Sequence, residues 1–244
     1  HSPQEYARLY NVISQAMLGV DQNIKIGPCI THVAPGATHP WLDAVLVDHN
    51  LPVHFIAYHP YGPLYYSAMT HGDSPSSAER GLRDVRRFLK RDFDGATERV
   101  LASGRNKNNI EFLATEWNVS HWRWINSVQI RRQSHALGVA ETLLTFAQQG
   151  IRHAHFWMFP SISDGTETPG FKMFQKAHEL WGDWFIGSYD DGHNLRIYST
   201  WNSATQEHVL WVLNFSESFD KTADILIPNI GTISSVTRHT LANV

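Results

Sequence analysis

Ile110-Glu111-Phe112-Leu113-Ala114-Thr115-Glu116-Trp117-Asn118 decides how this chain is read. Apolar side chains dominate 110–114, as expected of a strand covered on both faces in a parallel sheet. The run then stops on a carboxylate. Along a regular strand Ile110, Phe112, Ala114 and Glu116 share one side. An acid at the last of these positions is costly inside a core. It is well placed where a barrel strand ends, because such folds keep their chemistry at the C-terminal ends of their strands. The plain alternative is a loop glutamate that merely follows a strand.

The neighbouring segments favour the barrel. Upstream, 51–59 reads as one strand and 23–30 as another. Ser2-Pro3-Gln4-Glu5 is a capping box, and Tyr6, Leu9, Tyr10, Ile13, Met17 and Val20 continue it at helical spacing. A helix is expected over 41–47. A second capping box, Ser76 to Glu79, opens a helix striped with Leu82, Val85 and Leu89. Downstream come a helix over 128–149, a strand over 151–159 and a helix over 170–181. Strand–helix alternation means parallel strands joined by crossover helices. The long connections, 34–40, 60–75 and 160–169, all follow strands, which puts function on the strand-exit face.

The pattern changes near Tyr189. Strand-length runs at 195–198, 208–213, 223–227 and 232–240 have turns between them and no helix. The expected organisation is α/β: a barrel portion over 1–186, then a small antiparallel, β-sandwich-like domain over 187–244.

Composition narrows the partners. The 244 residues carry a formal charge of -3 and a pI near 6.6, which argues against nucleic acid or an anionic membrane surface. No apolar run approaches the ~18 residues of a membrane helix. A single cysteine, Cys29, rules out a disulfide within the chain. Neither feature assigns a compartment. Nine Trp, eight Tyr and fifteen His supply flat, polar-tipped side chains of the kind sugar sites use, as ordinary cores also do.

Thr115-Glu116-Trp117-Asn118-Val119-Ser120 resembles the nucleophile strand of retaining glycosidases of family 39, within the clan of (β/α)8 enzymes that includes family 51 arabinofuranosidases. His59-Pro60-Tyr61 resembles the His-x-Tyr that those enzymes place over the sugar. Residues 6–27, with Asp-Gln-Asn-Ile-Lys-Ile-Gly, resemble their fourth helix and fifth strand, and the tail resembles their appended β domain. The resemblance implies a partial (β/α)8 barrel, strands five to eight, with Glu116 as nucleophile. It implies hydrolysis of a plant-type oligo- or polysaccharide, β-xylosidase- or arabinofuranosidase-like, without metal or cofactor. The alternative is a carbohydrate-binding remnant with little or no activity.

One departure stands out. The family's acid/base is the Glu of an Asn-Glu pair after strand four, and these residues contain no such pair. A retaining glycosidase needs two carboxyl groups about 5–5.5 Å apart. Glu5 and Glu79 read as capping residues. Glu167 is the one in-chain candidate on the exit face, and a weak one. The sequence therefore leads us to expect a partner, either a complementary N-terminal barrel fragment or a second copy of the chain.

Further candidate sugar contacts are His59, Tyr61, Asn118, Trp157 and His32. Trp157 ends a strand and offers a stacking face. The bland reading of each is a core or strand-end group. His153 and His155 share strand parity with Trp157, but His-x-His alone is a weak metal signal.

Overall fold

The computed structural model describes residues 2–31, 33–61, 84–119, 133–157, 167–190, 194–216, 224 and 231–240. Helix α1 (Pro3–Val20) starts where the Ser2 hydroxyl accepts from the Glu5 amide at 3.1 Å, with Pro3 leading the first turn. Tyr6 and Tyr10 on its inner side donate to the carbonyls of Cys29 and Pro52, at 3.3 and 2.6 Å. These bonds tie the helix to the chain around the first two strands.

Those strands are β1 (Cys29–Ile30) and β2 (Phe55–Tyr58), followed by β3 (Glu111–Trp117) and β4 (Ala154–Phe156). Between and after them lie α2 (Pro40–Leu46), α3 (Val85–Ala102), α4 (Gln133–Gln149) and α5 (Pro169–Leu180). The four strands pair in parallel in chain order, β1-β2-β3-β4. The helices pack on one another in the same succession. Ile56, Tyr58, Phe112 and Ala114 from the sheet share one buried apolar cluster with Leu42, Val45, Leu89, Val139 and Leu144 from the helices. Each large side chain buried there contributes about 1.5–3 kcal/mol.

The first two strands are shorter than the sequence suggests. Of 23–30 only Cys29–Ile30 is strand, and of 51–59 only Phe55–Tyr58. The carbonyls of Ile26 and Pro28 still accept from the amides of His54 and Ala57, at 2.8 and 2.9 Å. The chain thus runs alongside β2 before the regular ladder begins. Gly27 allows this approach, since a Cβ there would lie 2.0 Å from the Phe55 carbonyl oxygen.

Strand β3 carries the irregularity that matters most. Ala114 pairs with Ala154, and Trp117 pairs with Phe156. Three steps along β3 match two along β4, so one extra residue is inserted at 115–116, a β-bulge. Phe112, Ala114 and Trp117 are all buried. Trp117 meets the rings of Phe146, Phe156 and Phe174. Simple alternation, which puts Glu116 beside Phe112 and Ala114, is therefore corrected: the bulge gives the buried side to Trp117 and turns Glu116 away from the core.

A separate antiparallel sheet follows, in the order β5 (Trp184–Asp190), β6 (Leu195–Asn202) and β7 (Glu207–Asn214). Strand β5 is absent from the sequence reading. A register shift between Phe185 and Gly187 breaks the alternation that would have revealed it. The strand expected over 232–240 is also corrected, because 231–240 are exposed and have no regular structure. The capping box at Ser76, the start of the helix expected over 128–149, and nearly all of the strand expected over 223–227 lie outside the described residues.

A buried ionic cluster joins this sheet to α4. Glu141 Oε1 accepts from Arg196 Nη1 at 2.6 Å and from the Tyr198 hydroxyl at 2.7 Å. Arg86 and Asp190, 3.3 Å apart, extend it toward α3.

Candidate active site

Four groups gather where the parallel strands end. Tyr61, three residues past β2, donates its hydroxyl to Glu116 Oε2 at 3.2 Å. The same oxygen lies 3.6 Å from His59 Nδ1. The other ring nitrogen of His59, Nε2, lies 3.4 Å from the Cys29 thiol at the start of β1. Adjacent parallel strands in register deliver these side chains to one edge. Cys29 pairs with Ala57, two residues before His59, and Tyr58 pairs with Ala114, two residues before Glu116. The backbone fixes the turn after β2, where the His59 amide donates to the Thr31 carbonyl and the Tyr61 amide to that of His59.

The carboxylate of Glu116 meets a hydroxyl donor and an imidazole ring. The carboxylate keeps 35% of its side-chain surface in solvent, which lowers the cost of its charge. Burial, and then the Glu116 charge, push the Tyr61 hydroxyl well above its ordinary range, so it stays protonated and donates. Both contacts fall on Oε2. Among the described residues, Oε1 receives no hydrogen bond.

Asn118 sits deeper. It is buried, its Nδ2 donates to the Trp157 carbonyl at 2.8 Å, and its Oδ1 is 3.4 Å from His135 Nε2. Burial lowers the His135 pKa to about 4, so that ring is neutral. The Trp157 amide in turn donates to the Trp117 carbonyl at 2.8 Å. Asn118 thereby braces the backbone of Trp157, a residue that is 46% exposed. His59, Tyr61 and Glu116 are thus brought together, whereas Asn118 and Trp157 form a second group on the neighbouring strand end. His32 lies outside the described residues. Glu167 is exposed beside Thr168, the cap of α5. Among the described residues no group of three or more His, Cys, Asp or Glu is placed to hold a metal ion.

Sequence reasoning gave Cys29 no role. Its place late in the strand expected over 23–30 was the available signal, and the pairing of Cys29 with Ala57 brings it to His59.

No family model and no curated protein matches the sequence. Solved structures do match the fold. AbfB, a family 51 α-L-arabinofuranosidase from Bifidobacterium longum, superposes with a TM-score of 0.62 at 15% identity, over 90% of this chain and 50% of that one. CelM2, a bifunctional glucanase-xylanase from a metagenome library, also gives 0.62 at 15% identity, over 88% and 48%. The GH51 arabinofuranosidase of Xanthomonas axonopodis pv. citri gives 0.56 at 12% identity, over 88% and 49%. The chain therefore has a glycoside hydrolase-like fold and spans about half the length of the structures it matches. At these identities the likeness is one of fold.

Proposed function

We propose that this chain is the strand-five-to-eight portion of a retaining (β/α)8 glycoside hydrolase, with Glu116 as nucleophile. The observation that carries the reading is the carboxylate of Glu116, turned out of the core by the β3 bulge and gripped on one oxygen by Tyr61. Sequential parallel strands covered by successive helices support it, because a barrel winds in this way. Oε1, the oxygen that Tyr61 does not hold, attacks the anomeric carbon as the glycosidic C–O bond breaks and the acid/base protonates the departing oxygen; water then cleaves the resulting glycosyl–enzyme ester, while Tyr61 steadies Oε2. His59 and Trp157 contact the sugar. The substrate is a β-xyloside or α-L-arabinofuranoside of plant-type polysaccharide.

The acid/base in this proposal comes from outside these 244 residues, through a complementary N-terminal barrel segment or a second copy of the chain. Two features support such a partner. Strands β1 and β4 lie at the edges of the sheet, and Val12, Ile13, Met17 and Val20 on α1 are exposed. Light scattering coupled to size exclusion checks it: the expected species contains a partner, and a folded ~28 kDa monomer at micromolar concentration sinks it.

The nucleophile is tested with activated 2-deoxy-2-fluoro glycosides of xylose and arabinofuranose, which trap the glycosyl–enzyme. Peptide mass mapping is expected to find the adduct on Glu116. An adduct on another residue, or none in the assembled protein, overturns the assignment.

A further inference from the structure

Cys29 on β1, His59 just past β2 and Glu116 on β3 lie next to one another, with a different partner at each nitrogen of the imidazole. The geometry decides where a neutral ring carries its proton. At Nδ1 the neighbour, 3.6 Å away, is a carboxylate oxygen. A proton on that nitrogen is attracted to the negative charge, and a lone pair there is repelled. The proton therefore belongs on Nδ1, which leaves Nε2 as an acceptor. The group opposite Nε2 is the Cys29 thiol, at 3.4 Å, a distance at which S–H donates.

We infer that Cys29 is a positioning residue: its S–H donates to Nε2 of His59, which locks the imidazole in the tautomer that presents Nδ1–H to Glu116. The inference rests on the reading of Glu116 as nucleophile. Tyr61 donates to Oε2 and His59 presents its proton toward the same oxygen, which fixes the orientation of the carboxylate and leaves Oε1 as the attacking atom.

A Cys–His–Glu line can also suggest a thiol nucleophile activated by its histidine. The surroundings of Cys29 argue against that. Cys29 is exposed, yet partial desolvation of its thiol, reinforced by the nearby Glu116 charge, pushes it above its ordinary pKa, although the neighbouring Thr115 hydroxyl pulls the other way. Activated cysteines show the opposite shift. Cys29 stays protonated and acts as a donor.

The test reads the tautomer directly and needs no turnover. Long-range proton–nitrogen NMR of 15N-histidine-labelled protein, with His59 assigned through His59→Asn, is expected to show the proton on Nδ1 in the wild type. Cys29→Ala should shift His59 toward a mixture of tautomers, and Cys29→Ser, which restores an O–H donor, should return it. In parallel, trapping of Glu116 by the fluoro-glycoside should slow about tenfold in Cys29→Ala, the equivalent of ~1.4 kcal/mol. It should recover to within about threefold in Cys29→Ser. A wild-type proton on Nε2 overturns the inference by itself, even if neither variant folds. So does an unchanged Nδ1 tautomer in a folded Cys29→Ala protein. Failure to trap Glu116 while the tautomer responds as described would instead count against the nucleophile assignment, so the two ideas fail separately.

Discussion

Glu116 and Glu141 have neighbours of the same kinds and live in opposite circumstances. Each is met by a tyrosine hydroxyl and a nitrogen base. At Glu141 the hydroxyl is 2.7 Å away, the base is the permanently charged Arg196 at 2.6 Å, and the carboxylate is fully buried. At Glu116 the hydroxyl is 3.2 Å away, the base is a histidine at 3.6 Å, and a third of the side chain faces water. Short bonds, full burial and a fixed cation pin α4 to the antiparallel sheet. Longer contacts, solvent and a titratable ring leave a carboxylate able to change its bonding. This difference in surroundings, which residue type alone does not show, is what the proposed role of Glu116 in the chemistry rests on.

The largest expected effect breaks this comparison at its chemical end. Glu116→Gln in the assembled protein should lower aryl-glycoside turnover by at least ~10³-fold and abolish fluoro-glycoside trapping. Its stability should stay within about 0.5 kcal/mol of wild type, because an exposed carboxylate holds little together. Glu141→Ala should do the reverse. Removing this carboxylate takes away the closest anion of the buried Arg196, leaving Asp190 at 3.6 Å, and should cost about 3 kcal/mol, read as a lower denaturation midpoint. If Glu141→Ala melts like wild type, the pin is not one.

These two acids were not equally legible. The alternation of strands and helices, and the placing of Glu116 at a strand end, follow from periodicity and from the abrupt end of the apolar run at 110–114. The side on which Glu116 falls does not. One residue inserted between Ala114 and Trp117 moves it from the core to the open edge, and no local propensity marks a bulge of that kind. The same physics hid β5, where a shift between Phe185 and Gly187 erases the period of two. Glu141 was invisible for another reason. It lies in a helix read only by its apolar stripe, and its partner Arg196 is 55 residues away. The tail at 231–240 misled in the other direction: it has strand-like composition, yet nothing in the sequence says whether a neighbouring strand is there to pair with.

A third acid sharpens the contrast. Asp92 on α3 is fully buried, but neither carboxylate oxygen has a hydrogen-bond partner among the described residues, and Arg91 stands off at 3.7 Å. Burial, only partly offset by Arg91, pushes its pKa up to about 7. The unfolded chain releases that proton near ~3.9. The fold therefore binds the proton more tightly, and the stability this confers is present below ~4 and lost as the pH rises through about 7. The loss is on the order of 2–4 kcal/mol. Asp92→Asn should match wild type near pH 5 and melt at a higher temperature near pH 8. A gap of equal size at both pH values would show that Asp92 does not titrate as its burial dictates.

The smallest effects come from the two tyrosines, and they test the comparison most directly because the same atom is deleted at both sites. Tyr198→Phe removes one of the two hydrogen bonds that buried Glu141 accepts among the described residues. Water cannot replace it there, so the variant should lose about 1–2 kcal/mol of stability with no direct effect on the chemistry. Tyr61→Phe removes a donor from a carboxylate that solvent still reaches, so the melting temperature should barely move. Its cost should appear instead in the reaction, where Oε2 loses the hydroxyl that steadies it as Oε1 attacks. Trapping of Glu116 should slow about tenfold, the factor that one hydrogen bond of ~1.4 kcal/mol supplies. Thermal melts and trapping rates for the two variants, measured side by side, are expected to cross over. If Tyr61→Phe destabilises the protein as much as Tyr198→Phe and leaves the trapping rate alone, Glu116 is a second structural pin, and the exit end of the sheet is not where this fold does its chemistry.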